Sequence, residues 1–276
     1  MLNYLLEPFA YPFMQTALFT AIVVAIVCAV LSCYLVLKSW SLMGDAISHA
    51  VLPGIVLGYI AGTPLMIGAF CSGLVSALCM GYIKENSRIK EDTAIGIVFS
   101  GMFALGLVLF TKIETDQHLM HVLFGNLLGI HQEELIQTLL ISITVFIVLK
   151  LKQRDFLLFC FNPTQASIVG LSAKKLYYGL LVLLVMTIIT AMQVVGVILV
   201  VAMLISPGIT AYLLTKHFAR MVWLAVISAV LSSLFGTIAS YHLNADIGPS
   251  IILVQALFFC LALVYHKLAF LRRSAV

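Results

Sequence analysis

An aspartate and a histidine four residues apart, Asp45 and His49, stand in the string Ser41-Leu-Met-Gly-Asp45-Ala-Ile-Ser-His49-Ala-Val-Leu-Pro53-Gly54. On a helix, residues i and i+4 share a face, with Cβ atoms roughly 5–6 Å apart. A carboxylate and an imidazole at that spacing can grip one cation together. Of the eleven acidic residues in the chain, only Asp45 lies deep in an apolar stretch. An ionisable group at membrane depth is costly, and it marks a functional site by default. One carboxylate oxygen and one imidazole nitrogen suit Mn²⁺, Fe²⁺ or Zn²⁺, whereas Cu(I) calls for thiolates. Two structural readings compete. Asp45 could cap a helix beginning at about Ala46, with Gly44 in the preceding turn, and His49 could be a satisfied polar residue packed between helices. A helix broken near the midplane, as Pro53 and Gly54 suggest, lets a helix start and an ion site coincide.

Other segments carry weaker signals. The 112–133 loop gathers His118, His121 and His131 with Glu114, Asp116, Glu133 and Glu134. It reads either as an outer vestibule that collects cations or as a solvated loop that meets a partner. Ser206-Pro207-Gly208 should kink or break its helix, and carbonyls freed there could line a path; a purely structural bend is the alternative. In the 150–175 loop, Asn162 is suited to be an N-cap and Pro163 to the first helical position. About eight residues of helix follow, including Ala166, and Gly170-Leu171 gives a C-terminal signal. Such a short helix between two spans is either a docking surface or an ordinary interfacial turn. The six cysteines are scattered without a CxxC pair, so they read as small core residues rather than disulfides or a thiolate site.

The elements that must position these residues are helices in a bilayer. Hydrophobic residues make up 63% of the 276-residue chain and charged residues 9%, too few charges to cover a soluble domain. Apolar runs near the ~20 residues needed to cross a bilayer occur at about 13–37, 43–61, 64–83, 93–111, 134–149, 176–194, 196–215, 221–240 and 249–266. The fold class is therefore an all-α polytopic membrane protein with eight or nine transmembrane helices. The first run has no basic leader and reads as a permanent helix rather than a signal peptide.

Alternating sides from span to span places every Lys and Arg except Lys112 on one face, fourteen of the fifteen. Short cytoplasmic loops collect such residues, which predicts an outside N-terminus, a cytoplasmic C-terminus and an odd number of crossings. The net charge of +4 thus reflects topology, and nucleic-acid binding is not indicated. No GxxxxGK[ST], HExxH or GxSxG string is present, so the chain lacks the usual marks of a nucleotide site, a metalloprotease or a serine hydrolase. Asp45 presents a tension: it lies only seven residues from Lys38, near the basic end of the second run, where a path residue would be better placed deeper.

The string Gly44-Asp45-Ala-Ile-Ser-His49-Ala-Val-Leu-Pro53-Gly54 resembles the signature of the ABC-3 family of metal-ion importer permeases. Asn162-Pro163 through Gly170-Leu171 resembles that family's coupling helix, and Leu204-Ile-Ser-Pro207-Gly-Ile-Thr-Ala211 resembles a later span. Leu123-Phe-Gly125-Asn-Leu-Leu-Gly129-Ile130 looks closest to the chelated-iron and manganese branch. The resemblance, which runs from about residue 10 to 268, implies a fold like the vitamin-B12-importer (type II) permeases. It implies a single permease domain over 1–276, two cytoplasmic ATPase subunits, an extracytoplasmic metal-binding protein, and a second permease as a homodimer or paired homologue. It also implies a multi-pass place in a bacterial inner (plasma) membrane. Asp45 and His49 match metal-contacting positions in the family, and two copies across a dimer axis would give an Asp₂His₂ set. The ion, Mn²⁺, Fe²⁺ or Zn²⁺, is cargo, with no permanent cofactor and no enzymatic activity in this chain. The rival reading is an ion-coupled secondary transporter in which Asp45 and His49 relay protons or metal.

Overall fold

From Pro12 to Lys38 the chain has no charged residue until its last position, and this stretch is one unbroken helix of 27 residues. Pro12 suits a first helical position, and Ser39 ends the helix in the left-handed region at φ 60°. The structure, a computed structural model, describes residues 7–111 and 129–274. A short 3₁₀ turn, Glu7–Ala10, leads in. The helices are then α1 Pro12–Lys38, α2 Met43–Ala50, α3 Leu52–Ile60, α4 Leu65–Asn86, α5 Glu91–Phe110, α6 Gln132–Leu151, α7 Gln153–Phe161, α8 Pro163–Ile168, α9 Ala173–Val195, α10 Val197–Leu214, α11 Phe218–Leu243 and α12 Ile247–Ser274.

Among the described residues nine stretches are long and apolar enough to cross a membrane, with α2 and α3 together forming the second, Met43–Ile60. The predicted runs lie within a few residues of these spans. The protein is a multi-pass membrane protein. Between the sixth helix and the ninth, the sequence predicted one short helix; the structure adds α7, whose Phe156, Phe159 and Cys160 are buried. Burial pushes the Cys160 thiol up to about 12, so it is a core thiol, as its apolar surroundings suggest.

Helix α1 lies at the centre, packed against α10, α11, α6 and α7. Helix α9 is its counterpart, touching α4, α6, α10 and α2. Small residues set the closest approaches. A Cβ on Gly54 would sit 2.1 Å from the Gly68 carbonyl oxygen, so α3 and α4 cross backbone to backbone. Gly54 and Gly58 on α3 face Gly68 and Ser72 on α4, the small-xxx-small pattern that lets membrane helices approach.

Helix α10 runs on through Pro207 instead of breaking there. Around the proline it is tied to α1. The Ser32 hydroxyl donates to the Ile205 carbonyl (3.2 Å) and accepts from the Gly208 N–H (3.0 Å). It thus serves the backbone of α10 on both sides of the proline, which cannot donate to the ladder itself.

Candidate functional site

Asp45 and His49 are the third and seventh residues of the eight-residue helix α2. The helix begins at Met43 with Leu42 before it and no side-chain cap, so Asp45 does not cap a helix starting at Ala46. It stands in the first turn, where the helix dipole favours a carboxylate. Met43, Gly44, Ala46, Ile47 and Ala50 turn into the core. Gly44 permits close packing on α10: a Cβ there would lie 3.1 Å from a Leu204 methyl carbon.

That leaves Asp45 and His49 together on the outer face. Their side chains are 43% and 37% exposed, and His49 Nε2 lies 3.4 Å from Asp45 Oδ1. Two donors ~2.1 Å from one ion are about 3.0 Å apart at a right angle and about 3.4 Å apart at the tetrahedral angle. The two atoms are therefore already at bite distance for a single first-row cation. Among the described residues no group of three or more His, Cys, Asp and Glu comes together. Among those residues the pair stands as two candidate ligands without a third beside it.

The imidazole is positioned by aromatic rings of α5. Phe103 meets it edge-on with centroids 5.3 Å apart, Phe99 lies at 5.7 Å, and the two phenyl rings stack on each other at 5.9 Å. These rings also give the pair's height. Trp40 Nε1 donates to Glu91 Oε1 (2.7 Å), which puts the start of α2 level with the start of α5. Phe99 and Phe103 lie 8 and 12 residues further along, or ~12–18 Å at 1.5 Å per residue in a helix of 20 residues. His49 is therefore level with the middle of α5. This resolves the tension posed by the short separation from Lys38, because the fully buried Trp40 turn sends α2 straight back into the bundle.

The break after α2 is narrow. Val51 keeps helical angles, and Pro53 follows at the start of α3. Proline cannot donate to the ladder, and the Gly54 N–H bonds to Val51 rather than Ala50. The Ala50 carbonyl is taken instead by the Ser72 hydroxyl of α4, at 2.8 Å. Ser206 and Pro207 lie in the continuous α10; among the described residues, the Ser206 carbonyl accepts from the Thr210 hydroxyl (2.7 Å) and not from the Asp45–His49 pair.

At the end of the bundle that collects basic residues, a charged bridge ties three elements together. Glu91 pairs with Lys84 of α4 while also holding Trp40. Tyr177 of α9 closes against Trp40 edge-on at 5.1 Å and lies under Lys84. Nothing in the sequence singled out Trp40, Glu91, Phe99 or Phe103. Their only local signal was an acid in the first turn of a helix and two phenylalanines at i, i+4, which is common in apolar helices.

Beyond these spans, α8 starts as its sequence predicted. The Asn162 side chain accepts from the Gln165 N–H (3.0 Å), with Pro163 next in line. At the other end Gly170 has φ 90°, and the Leu171 and Gly170 N–H groups bond to Ala166 and Ser167, a Schellman closure. This ends the helix at Ile168, six residues long rather than eight. Ala166 is buried beneath it, and Ile168 is 80% exposed. The His118, His121, Glu114 and Asp116 cluster lies outside the described residues. Further along the chain, Glu133 and Glu134 occupy the first turn of α6, and the His131 N–H donates to the Glu134 carboxylate at 3.3 Å.

Among the described residues, an all-α bundle of nine membrane-crossing stretches, the second of them broken just after a half-exposed carboxylate and imidazole, has the architecture of a membrane permease. The chain belongs to the ABC 3 transport family, whose pattern it matches over residues 10–266, and it is a permease subunit of an ABC transporter. It is 57% identical over 268 residues to the chelated iron transport system membrane protein YfeD of Yersinia pestis, covering 97% of this chain and 90% of that protein. It is 48% identical over 262 residues to the manganese transport system membrane protein MntB of a Synechocystis strain, covering 95% and 86%. Among solved structures it is similar to PsaBC from Streptococcus pneumoniae in complex with Fab, with a TM-score of 0.84, 39% identity and 95% of each chain covered. A metal-chelate type ABC transporter in an inward-facing conformation shares the fold at a TM-score of 0.73 and 15% identity, over 91% of this chain and 85% of that one. The fold is that of the type II permeases.

Proposed function

We propose that this chain forms the translocation path of an ATP-driven importer of first-row divalent metal ions, Mn²⁺ or Fe²⁺ foremost, with Asp45 and His49 as ligands in the path. One observation carries the reading: the two donor atoms stand 3.4 Å apart on one helix face, half exposed, at mid-height in a membrane-spanning bundle. An ionisable pair there is too costly to face lipid. It faces a polar path shared with a second permease subunit, and a two-fold axis would complete an Asp₂His₂ set. Relatives named for iron and manganese transport support the cargo; the same donors also accept Zn²⁺. A site to which each protomer brings this one pair holds the ion loosely enough to release it, which conduction requires.

The remaining parts follow from charge and shape. The basic end faces the cytoplasm, so the N-terminus lies outside and the C-terminus inside, in the bacterial inner membrane. At that end the capped helix α8, with exposed Ile168 and Val169, docks the separate ATPase subunit that supplies the energy. An extracytoplasmic metal-binding protein delivers the ion to the opposite end. The whole of 1–276 serves as one permease domain.

Replacing Asp45 or His49 by Ala should abolish uptake of radiolabelled Mn²⁺, Fe²⁺ and Zn²⁺ in cells that depend on this subunit. Membrane insertion and assembly with the ATPase should persist. Normal uptake by both variants overturns the site, and the relative uptake of the three ions by the unaltered protein identifies the cargo.

A further inference from the structure

Helix α1 packs against both α6 and α11, and between the three runs a groove of ≈ 220 Å³. Its deeper part is apolar, walled by Ile26 and Val30 of α1, Phe146 of α6, and Val222 and Val226 of α11. Towards the basic end the lining changes. Tyr34, Lys150 and Gln153 come in on one side and Trp223 on the other. Lys150 is exposed and Trp223 is 70% exposed. Arg220, also exposed, follows the lining residue Ala219 in the first turn of α11. All three helices therefore pass from apolar to polar in the same direction. A phospholipid has the same order, acyl chain then phosphate.

The charge of the mouth narrows the headgroup. Lys150 and Arg220 are cationic, and the acid closest along the chain, Asp155, is already paired with Lys152 at 3.1 Å. An exposed tryptophan at headgroup level is the usual interfacial anchor, and basic clefts between transmembrane helices bind anionic headgroups. We propose that this groove is a binding site for an anionic phospholipid, with the acyl chain against Val30 and Val226 and the phosphate at Lys150 and Arg220. The site ends at Gln153, the first residue of α7, so a bound lipid braces the segment that leads into α8. The proposal does not depend on Asp45, His49 or the cargo.

Trp223 supplies the readout, because the chain has only one other tryptophan, Trp40, which is fully buried. The full-length chain is reconstituted in phosphatidylcholine vesicles containing either brominated phosphatidylglycerol or brominated phosphatidylcholine, and tryptophan quenching is followed against mole fraction. Trp223→Phe isolates the contribution of Trp223. Brominated phosphatidylglycerol should quench at a several-fold lower mole fraction than brominated phosphatidylcholine. Lys150→Gln should lower that preference about fivefold, the equivalent of ~1 kcal/mol for a basic side chain near the membrane surface; added salt should erode it further. Val226→Phe, which fills the groove, should reduce quenching by phosphatidylglycerol while Lys150 is intact. Equal quenching by the two lipids, or a preference unchanged in Lys150→Gln, overturns the proposal in favour of ordinary boundary lipid. Absence of quenching by either lipid also overturns it, and shows that another protein surface, such as a second copy, covers the groove.

Discussion

At the scale of single residues, the i, i+4 spacing of Asp45 and His49 was sufficient to place both donors on one face, and the structure holds them 3.4 Å apart. Spacing could not show what keeps the imidazole aimed. Phe103 and Phe99 do this from another helix, with centroids at 5.3 and 5.7 Å. Aromatic pairs of this kind contribute about 0.5–1.5 kcal/mol beyond burial. Phe103→Ala should therefore leave transport measurable while weakening apparent metal affinity about 2- to 10-fold, read as a raised half-saturation concentration in uptake assays. An unchanged half-saturation value would show that His49 needs no support from α5. Phe103→Leu, which keeps the bulk but loses the ring edge, should fall between the two.

At the scale of elements, close approaches decide which substitutions are tolerated. The crossing of α3 and α4 has no room for a side chain at Gly54, where a Cβ would overlap the Gly68 carbonyl. Overpacking a tight core costs about 1–3 kcal/mol or more. Gly54→Leu should therefore lower the thermal unfolding temperature in detergent and the yield of folded protein, whereas Gly62→Ala, in open space but at φ 64°, should cost less. Helix α8 was legible because both of its ends are local: Asn162 and Pro163 open it, and Gly170 closes it. Gly170 sits at φ 90°, and a side chain in the left-handed region costs roughly 1–2 kcal/mol. Gly170→Val should fray α8 and reduce co-purification of the ATPase without reducing membrane insertion. Retained co-purification would move the docking surface elsewhere. By contrast, the surroundings of Pro207 were not legible, because the hydroxyl that bonds the α10 backbone beside it comes from Ser32, 176 residues away from its partner Gly208.

At the scale of the whole molecule, hydropathy and charge determined most of the architecture by themselves. A bilayer demands about twenty apolar residues per crossing, so the nine apolar stretches among the described residues follow the sequence runs to within a few residues, where the sequence alone left eight or nine crossings open. The proposed orientation rests on the same one-dimensional count of Lys and Arg. The capping residues of α8 and the four-residue step from Asp45 to His49 are likewise local, and local patterns survive in sequence. Tertiary structure decided everything that depends on which helices become neighbours. It set the height of the Asp45–His49 pair, through the Trp40–Glu91 hydrogen bond at one end of α5 and the Phe99–Phe103 cradle at its middle. It also paired Glu91 with Lys84 and opened the groove between α1, α6 and α11. The physical reason is that all the helices present similar apolar faces, so the pattern along one helix cannot name its partner; glycine contacts, aromatic edges and a few buried polar atoms select it only once the chain has packed.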